Sequence, residues 1–154
     1  MALARRLVAT VWVGSLWTTG YVVAPTLFAS LADRALAGTI AGSLFRVEAW
    51  LSLACALVLV VLLWQRTPGT ATFGATGAEP SRRRLLQVVV AMGLCTAIGY
   101  FGLQPFMASL RQAVAAGGTM QADARVQFGI LHGVASGIYL VQSLLGGWLI
   151  LRLR

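Results

Sequence analysis

Four long apolar stretches, separated by shorter polar connections, are the feature that most constrains the fold of this chain. They cover residues 7–31, 40–64, 85–110 and 126–151, and each exceeds the ~20 residues that a helix needs to cross a bilayer core. Helices are expected because lipid offers no hydrogen-bond partner to backbone groups. Since the chain has 154 residues and is 58% hydrophobic, the sequence predicts one all-α domain, a polytopic membrane four-helix bundle.

Arginines set the predicted orientation, because the chain has no lysine. Eight arginines lie at the N-terminus, around the connection 65–84 and at the C-terminus, and four lie in or beside the other two connections. Positive residues accumulate on the cytoplasmic side of a membrane. We therefore expect both termini and the loop 65–84 in the cytoplasm, with a bacterial inner membrane as the location. The net charge of +8 then indicates contact with anionic lipid rather than with nucleic acid.

The two halves of the chain repeat weakly at an offset of 79 residues. The repeat predicts a duplicated helical hairpin, in which the first and third helices run in the same direction about an axis along the membrane normal. The coinciding segments are GY at 20–21 and 99–100, ASL at 29–31 and 108–110, AG at 37–38 and 116–117, and RV at 46–47 and 125–126, while Pro25 and Pro105 miss the register by one residue.

Glycines spaced by four residues predict where helices pack. In lipid, small residues are favoured at helix contacts because they let two backbones approach closely. A spacing of four places them on one face of a helix. The pattern does not distinguish contacts within the chain from contacts between subunits. The glycines concerned are Gly129, Gly133 and Gly137 in the fourth helix, and Gly38 and Gly42 in the second.

Several polar and ionisable side chains fall at a similar depth in the four helices. Counted from the cytoplasmic ends at ~1.5 Å per residue, they lie near the outer boundary of the hydrocarbon. An ionisable residue inside a membrane is a functional candidate by default, so we predict a shallow polar pocket open to the outer side. The predicted pocket residues are His132, Glu48, Arg46, Gln104, Tyr21, Tyr100, Ser136 and Tyr139.

His132 is the only histidine of the chain, and two interpretations of it stay open. In the first, a neutral ring hydrogen-bonded to Glu48, Gln104 or a backbone carbonyl fixes the fourth helix. In the second, the ring binds a ligand, a proton or a metal ion. Glu48 is expected to pair with His132 or with Arg125, since a charge inside a membrane needs a partner.

A redox or metal site is the alternative to a purely structural role. Cys55 and Cys95 lie at one depth with Met92 a turn away, which suits a soft Cu(I) site, and His132 could be an axial heme ligand. No CxxC, H-E-x-x-H, nucleophile elbow or phosphate loop accompanies them. The preferred prediction is therefore a protein without catalytic residues or cofactor: an accessory or scaffold subunit of a larger membrane complex or homo-oligomer, or a small-ligand-binding module.

Three segments carry a family resemblance: GSLFRVEAWLSLACA, GYFGLQPFMASLR and FGILHGVASGIYL. They resemble the transmembrane protein 205-like family, small four-helix membrane proteins grouped under a domain of unknown function. An Asn that the family pattern has after its serine is replaced here by the Tyr139-Leu140 region. The resemblance implies a membrane location and this fold, without an agreed activity. The matching residues are Phe128, His132, Gly133 and Ser136 of a Phe-x-x-x-His-Gly-x-x-Ser pattern, Gln104-Pro105, and Leu44-Phe45.

Overall fold

The computed structural model describes the backbone of residues 1–65, 78–115 and 122–153, with side chains for 1–65, 82–110 and 123–153. The described residues contain helices and no strand, and four helices are long and apolar enough to cross a membrane. The predicted all-α, four-helix membrane fold is confirmed. The helices are α1 (Ala2–Ser30), α2 (Arg34–Trp64), α3 (Ala78–Ala97 continuing through Ile98–Leu103 and Gln104–Ala115) and α4 (Ala122–Arg152).

The helices extend beyond the apolar stretches that predicted them. Helix α2 begins at Arg34 rather than at 40, and α4 begins at Ala122 rather than at 126. Hydropathy marks only the part of a helix that suits hydrocarbon, whereas backbone hydrogen bonding continues into the polar region outside it. Asp33 fixes the start of α2, because its carboxylate accepts hydrogen bonds from two backbone N–H groups of the first turn. Most of the predicted loop 65–84 lies outside the described residues.

Arginines at the start of α1 and α3 cap the C-terminal ends of α2 and α4. Arg5 donates from Nε to the Leu62 carbonyl at 3.1 Å, and Arg82 donates from Nη2 to the Trp64 carbonyl at 2.7 Å. Arg6 caps the end of α4 in the same way. The last carbonyls of a helix lack donors within the helix and carry partial negative charge, so guanidinium groups satisfy both needs. This arginine-capped end is the predicted cytoplasmic end of the bundle.

Apolar side chains of all four helices fill the half of the bundle next to the arginines. Helices α1 and α3 each contact both α2 and α4, so the four helices form a ring in chain order. Trp12, Leu59, Met92 and Leu149 are fully buried in this inner half. The packed core consists of Ala9, Trp12, Val13, Cys55, Leu59, Leu63, Leu85, Val89, Met92, Leu149 and Leu153.

Helices α1 and α3 are interrupted by a π-helical turn followed by proline. The turn spans Thr18–Val23 in α1 and Ile98–Leu103 in α3, and Pro25 or Pro105 is the second residue of the segment that follows. Proline lacks an N–H and crowds the carbonyl one turn before it, and a π turn accommodates both. The two turns begin 80 residues apart, which supports the predicted duplication of a hairpin.

The offset is not the same for both helix pairs of the duplication. Helices α2 and α4 are each 31 residues long, and they begin at Arg34 and Ala122, an offset larger than that between the two π turns. Arg125 therefore lies in the first turn of α4, whereas Arg46 lies several turns inside α2, and the predicted match between them is wrong. The outer part of α3, which continues to Ala115, accounts for the difference. The AG pair at 116–117 lies outside the described residues.

Beyond the π turns, the helices separate into two hairpins, α1–α2 and α3–α4. The outer segment Ala24–Ser30 of α1 contacts α2, and the outer segment Gln104–Ala115 of α3 contacts α4. Within the described ranges, neither outer segment packs extensively against the opposite hairpin. The bundle is thus closed at its arginine-capped end and divided at its outer end.

Two glycines of α4 provide a matched test of this packing. A Cβ at Gly146 would lie 2.9 Å from Cγ2 of Val13 and 3.3 Å from Cε of Met92. We expect Gly146→Leu to lower the free energy of unfolding by ~1–3 kcal/mol, the usual penalty of overpacking. Gly133→Leu is the control, because a Cβ there meets nothing within 4 Å. Thermal unfolding of the monomer in detergent measures both, and equal losses would contradict the described packing.

Candidate functional site

A cavity of about 490 Å³ lies between the two hairpins in the outer half of the bundle. All four helices line it, and most of the lining residues are apolar. It is partly open to its surroundings, as expected where the hairpins separate. Seven of the eight residues predicted to form a polar pocket line this one cavity: Tyr21, Glu48, Tyr100, Gln104, His132, Ser136 and Tyr139.

Arg46, the eighth predicted residue, does not line the cavity. Its side chain is exposed, whereas Glu48, two residues further along α2, is buried. Side chains two residues apart on a helix point in different directions, so only one of the two can face the interior. Arg46 is therefore removed from the candidate site, and its long side chain can reach towards the headgroups.

The predicted packing glycines fall on two different surfaces. Gly38 and Gly42 line the cavity. Gly129, Gly133 and Gly137 are exposed, and a Cβ at any of them meets nothing within 4 Å. The spacing of four correctly defines one face of α4, but that face points away from the other described helices. Packing of these three glycines within the chain is therefore not observed, and contact with another subunit stays a prediction.

Glu48 lies at the floor of the cavity, where the outer half meets the packed core. Its side chain is 6% exposed. The Ser52 hydroxyl donates to Oε1 of Glu48 at 3.2 Å. The Ser15 hydroxyl divides its single proton between Oε1, also at 3.2 Å, and the Trp12 carbonyl of its own helix, at 2.9 Å. Trp12 donates from Nε1 to Oγ of Ser52 at 2.8 Å, which connects the carboxylate to the core. The carboxylate is thus held in place by neutral donors from α1 and α2.

The predicted pairing of Glu48 with His132 or Arg125 is wrong. His132 is exposed on α4, and Arg125 lies in the first turn of that helix, well beyond the floor. Among the described residues, no cation forms an ion pair with Glu48, and its described hydrogen bonds all reach Oε1. The second oxygen, Oε2, therefore remains without a described partner on a residue that lines the cavity.

The α3–α4 hairpin contributes a second polar pair to the floor. Gln142 donates from Nε2 to Oγ1 of Thr96 at 2.9 Å, and Thr96 donates to the Met92 carbonyl at 3.2 Å. Both Gln142 and Thr96 are buried and line the cavity. The sequence prediction missed this pair. Gln142 could have been predicted from the sequence as a pocket residue, because it is a polar side chain one turn after Tyr139 in an otherwise apolar stretch.

Tyr139 bridges the two hairpins on the side where α1 faces α4. Its hydroxyl donates to the Leu16 carbonyl of α1. Its ring makes edge contacts with Tyr21 of α1, at 6.2 Å between centroids, and with Phe45 of α2, at 5.6 Å. The close approach of the Tyr139 ring to the backbone of Gly20 requires a residue without a Cβ. Tyr139 thus closes one seam of the cavity.

Aromatic contacts also bridge the opposite seam, where α2 faces α3. The Trp50 ring of α2 makes edge contacts with Tyr100 and Phe101 of α3, at centroid distances of 6.3 and 6.4 Å. Edge-to-face pairs of this kind are favourable beyond the area that they bury. The cavity is therefore flanked by an aromatic bridge on each side.

The residues considered for a metal or heme site do not converge. Cys55 and Met92 belong to the packed core, while Cys95 lines the cavity. His132 lines the outer part of the cavity and stacks on Phe128, with 6.1 Å between ring centroids. Within the described residues, no three His, Cys, Asp or Glu side chains lie close enough to hold a metal ion. The chemistry that the cavity offers is hydrogen bonding at a polar floor and apolar contact along the walls.

The fold and the cavity define a four-helix membrane protein with a polar-floored cavity between two helical hairpins. The model of a family described as a domain of unknown function (DUF4149) matches residues 7–116, and the chain belongs to this family. The match contains Glu48, Ser15 and Ser52, and it ends before α4. No curated protein and no solved structure matches the chain significantly.

Gly20 and Gly99, one glycine in each π turn, test the role of Tyr139. A Cβ at Gly20 would lie 2.7 Å from the Tyr139 hydroxyl oxygen, whereas a Cβ at Gly99 meets nothing within 4 Å. We expect Gly20→Ala to displace the ring and to lower the free energy of unfolding by ~1–3 kcal/mol. Gly99→Ala should leave it unchanged or raise it slightly. Chemical denaturation of both variants measures the difference; equal destabilisation would mean that any methyl group in a π turn is harmful.

Proposed function

We propose that this protein is a non-catalytic membrane module that binds a small amphipathic molecule in the cavity between its hairpins. The single observation that carries the proposal is a cavity with mostly apolar walls and a buried carboxylate at its floor. Its volume of about 490 Å³ falls in the ~300–1,000 Å³ range of small-molecule sites. A few polar groups at the closed end of an apolar cavity suit a ligand with one polar end and an apolar body.

The division of the outer half supports entry of the ligand from the membrane. The outer segments of α1 and α3 pack within their own hairpins, so the seams between hairpins are bridged by side chains rather than by close backbone contact. Tyr139 and Trp50 supply the aromatic bridges. Side chains change rotamer far faster than helices move, so an amphipathic molecule dissolved in the outer leaflet could pass a seam without unfolding the bundle.

Binding is preferred to catalysis because the polar groups of the floor already serve as mutual partners. Ser15 and Ser52 donate to Glu48, and Thr96 accepts from Gln142. A hydroxyl nucleophile needs a neighbouring base that accepts its proton and a site for the developing negative charge. Among the described lining residues, the one carboxylate lies against two hydroxyls without a cationic or backbone N–H site beside them.

We add two more specific proposals, one about the family group and one about assembly with other subunits. We propose membership of the transmembrane protein 205-like group, supported by the Phe-x-x-x-His-Gly-x-x-Ser pattern, of which His132 and Ser136 line the cavity. An accessory or scaffold role within a larger membrane complex or a homo-oligomer is supported by the outward-facing stripe of Gly129, Gly133 and Gly137. A face of small residues lets a second helix approach closely in lipid.

A photoreactive octanol, a diazirine analogue of the alcohol, tests the proposed binding in lipid vesicles. Mass spectrometry of the labelled protein should find modified residues among the cavity-lining positions of 38–52 and 132–142, with labelling that excess octanol suppresses. Gly42→Phe fills the cavity, so we expect it to reduce the suppressible labelling by at least about tenfold, equivalent to ~1.4 kcal/mol. The matched control is Gly133→Phe, which adds the same ring to an exposed face.

Comparison of the cavity with the outer surface of the bundle distinguishes binding of the probe at a site from its partitioning into lipid. Val47 and Val134 are exposed on the outside of the bundle, and their labelling should rise in proportion to the probe. The proposal fails if the cavity residues behave like these two valines, or if Gly42→Phe and Gly133→Phe reduce labelling equally.

We also propose that the termini lie in the cytoplasm of a bacterium and that the cavity faces outward, supported by the arginine-capped inner end. In a background with Cys55 and Cys95 replaced by alanine, single cysteines test this orientation. A membrane-impermeant maleimide should modify His132→Cys in right-side-out vesicles, and Arg83→Cys only after permeabilisation. The reverse order of labelling would overturn the orientation.

A further inference from the structure

The floor of the cavity also specifies a class of ligand, an inference that rests on the proposed function. We propose that the cavity is selective for lipophilic organic cations, with the ammonium group of the ligand bound to Oε2 of Glu48. The apolar body of such a ligand lies between the hairpins, towards the outer end of the cavity.

The charge balance of the cavity is the first observation behind this inference. Glu48 is the only acidic residue among the described lining residues, and none of those residues is an arginine. His132, the one basic side chain in the lining, lies nearer the outer end and does not pair with Glu48. A buried carboxylate usually has a cationic partner, because neutral hydrogen bonds only partly replace its hydration. The floor of the cavity therefore carries an acidic side chain that has no cationic partner from the described part of the chain.

The geometry of the hydrogen bonds is the second observation. Ser15 and Ser52 both donate to Oε1, so they fix the carboxylate and leave Oε2 as an acceptor. On the opposite hairpin, Gln142 uses its amide nitrogen on Thr96, which leaves the amide oxygen as an acceptor. An ammonium group offers up to three donors and no acceptor. Acceptors supplied by both hairpins thus suit a protonated amine better than an anion or an ether.

The aromatic lining is the third observation. Tyr21, Phe28, Phe45, Tyr100 and Tyr139 all line the cavity. The face of an aromatic ring attracts a cation within ~6 Å of its centre, and the attraction grows when the cation is desolvated. The rings therefore favour a positively charged headgroup along its path from the outer end to Glu48. They also provide the apolar surface that an alkyl or aryl body needs.

A matched series of eight-carbon probes tests the selectivity. Octylamine, octanol and octanoate compete with the photoreactive octanol in vesicles, and each potency is expressed as the concentration within the membrane, which removes differences in partitioning. We expect octylamine to suppress labelling of the cavity at a concentration at least about tenfold lower than octanol, which corresponds to ~1.4 kcal/mol. Octanoate should be weaker than octanol, because its charge repels Glu48.

Glu48→Gln is the decisive variant, because the amide oxygen can still accept from Ser15 and Ser52 while the charge is lost. We expect the advantage of octylamine over octanol to disappear on this variant, whatever the potency of octanol itself. A thermal unfolding transition like that of the wild-type protein shows that the variant is folded, and the order of the three probes on the wild-type protein tests the selectivity without any variant.

The other outcomes separate the proposed cation selectivity from the proposed binding function. Equal potency of amine and alcohol on the wild-type protein, or an advantage of the amine that survives Glu48→Gln, overturns the cation selectivity and leaves the proposed binding function intact. Cavity labelling that none of the three probes suppresses overturns both, because no small amphipathic molecule would then occupy the site.

Discussion

Hydrocarbon gives buried polar groups no water to bind, and the rest of this structure depends on how the chain meets that constraint. At the inner end, arginines in the first turns of α1 and α3 satisfy the last carbonyls of α2 and α4. Apolar side chains of all four helices then form the packed core of the inner half. The outer half does not close in this way. The polar groups of its floor are paired mainly within each hairpin, Glu48 with Ser15 and Ser52, and Gln142 with Thr96. Between the hairpins, the described hydrogen bonds are made by side chains, as from Tyr139 to the Leu16 carbonyl.

The repeated π turn explains where the separation begins. A proline inside a helix removes one backbone donor and crowds the preceding turn, and the extra residue of a π turn absorbs the mismatch. Because both α1 and α3 carry this combination, the outer segments of both helices depart from the ring at the same level. The floor of the cavity lies near that level, since Ser15 precedes the turn in α1 and Thr96 precedes it in α3. The cavity thus lies where two hairpins with the same combination of π turn and proline meet, and residues of both hairpins line it.

Sequence reasoning found the helices and most of the cavity because both follow from position along a helix. Hydropathy located the spans, and the rise per residue placed Tyr21, Gln104 and His132 at a common depth. Sequence reasoning failed where the rotation of a helix about its axis decides whether a side chain faces the interior or the lipid. Arg46 and the Gly129–Gly137 stripe have suitable spacing, but they face away from the interior. It also missed Ser15 and Ser52, because a hydroxyl in a membrane helix can bond to its own backbone, and only the packed structure shows which hydroxyls reach across. The partner of Glu48 was therefore assigned to the wrong helix.

The polar floor is not required by the fold itself. In the inner half, the packed core of the four helices consists of apolar side chains, and replacing buried ionic groups by well-packed apolar ones is often neutral or stabilising. A carboxylate at the base of an open cavity therefore needs a reason other than packing. Its described hydrogen bonds all reach Oε1, and the residue lines the space between the hairpins. A binding site requires such an arrangement, because a group fixed before the ligand arrives loses little conformational freedom when it binds.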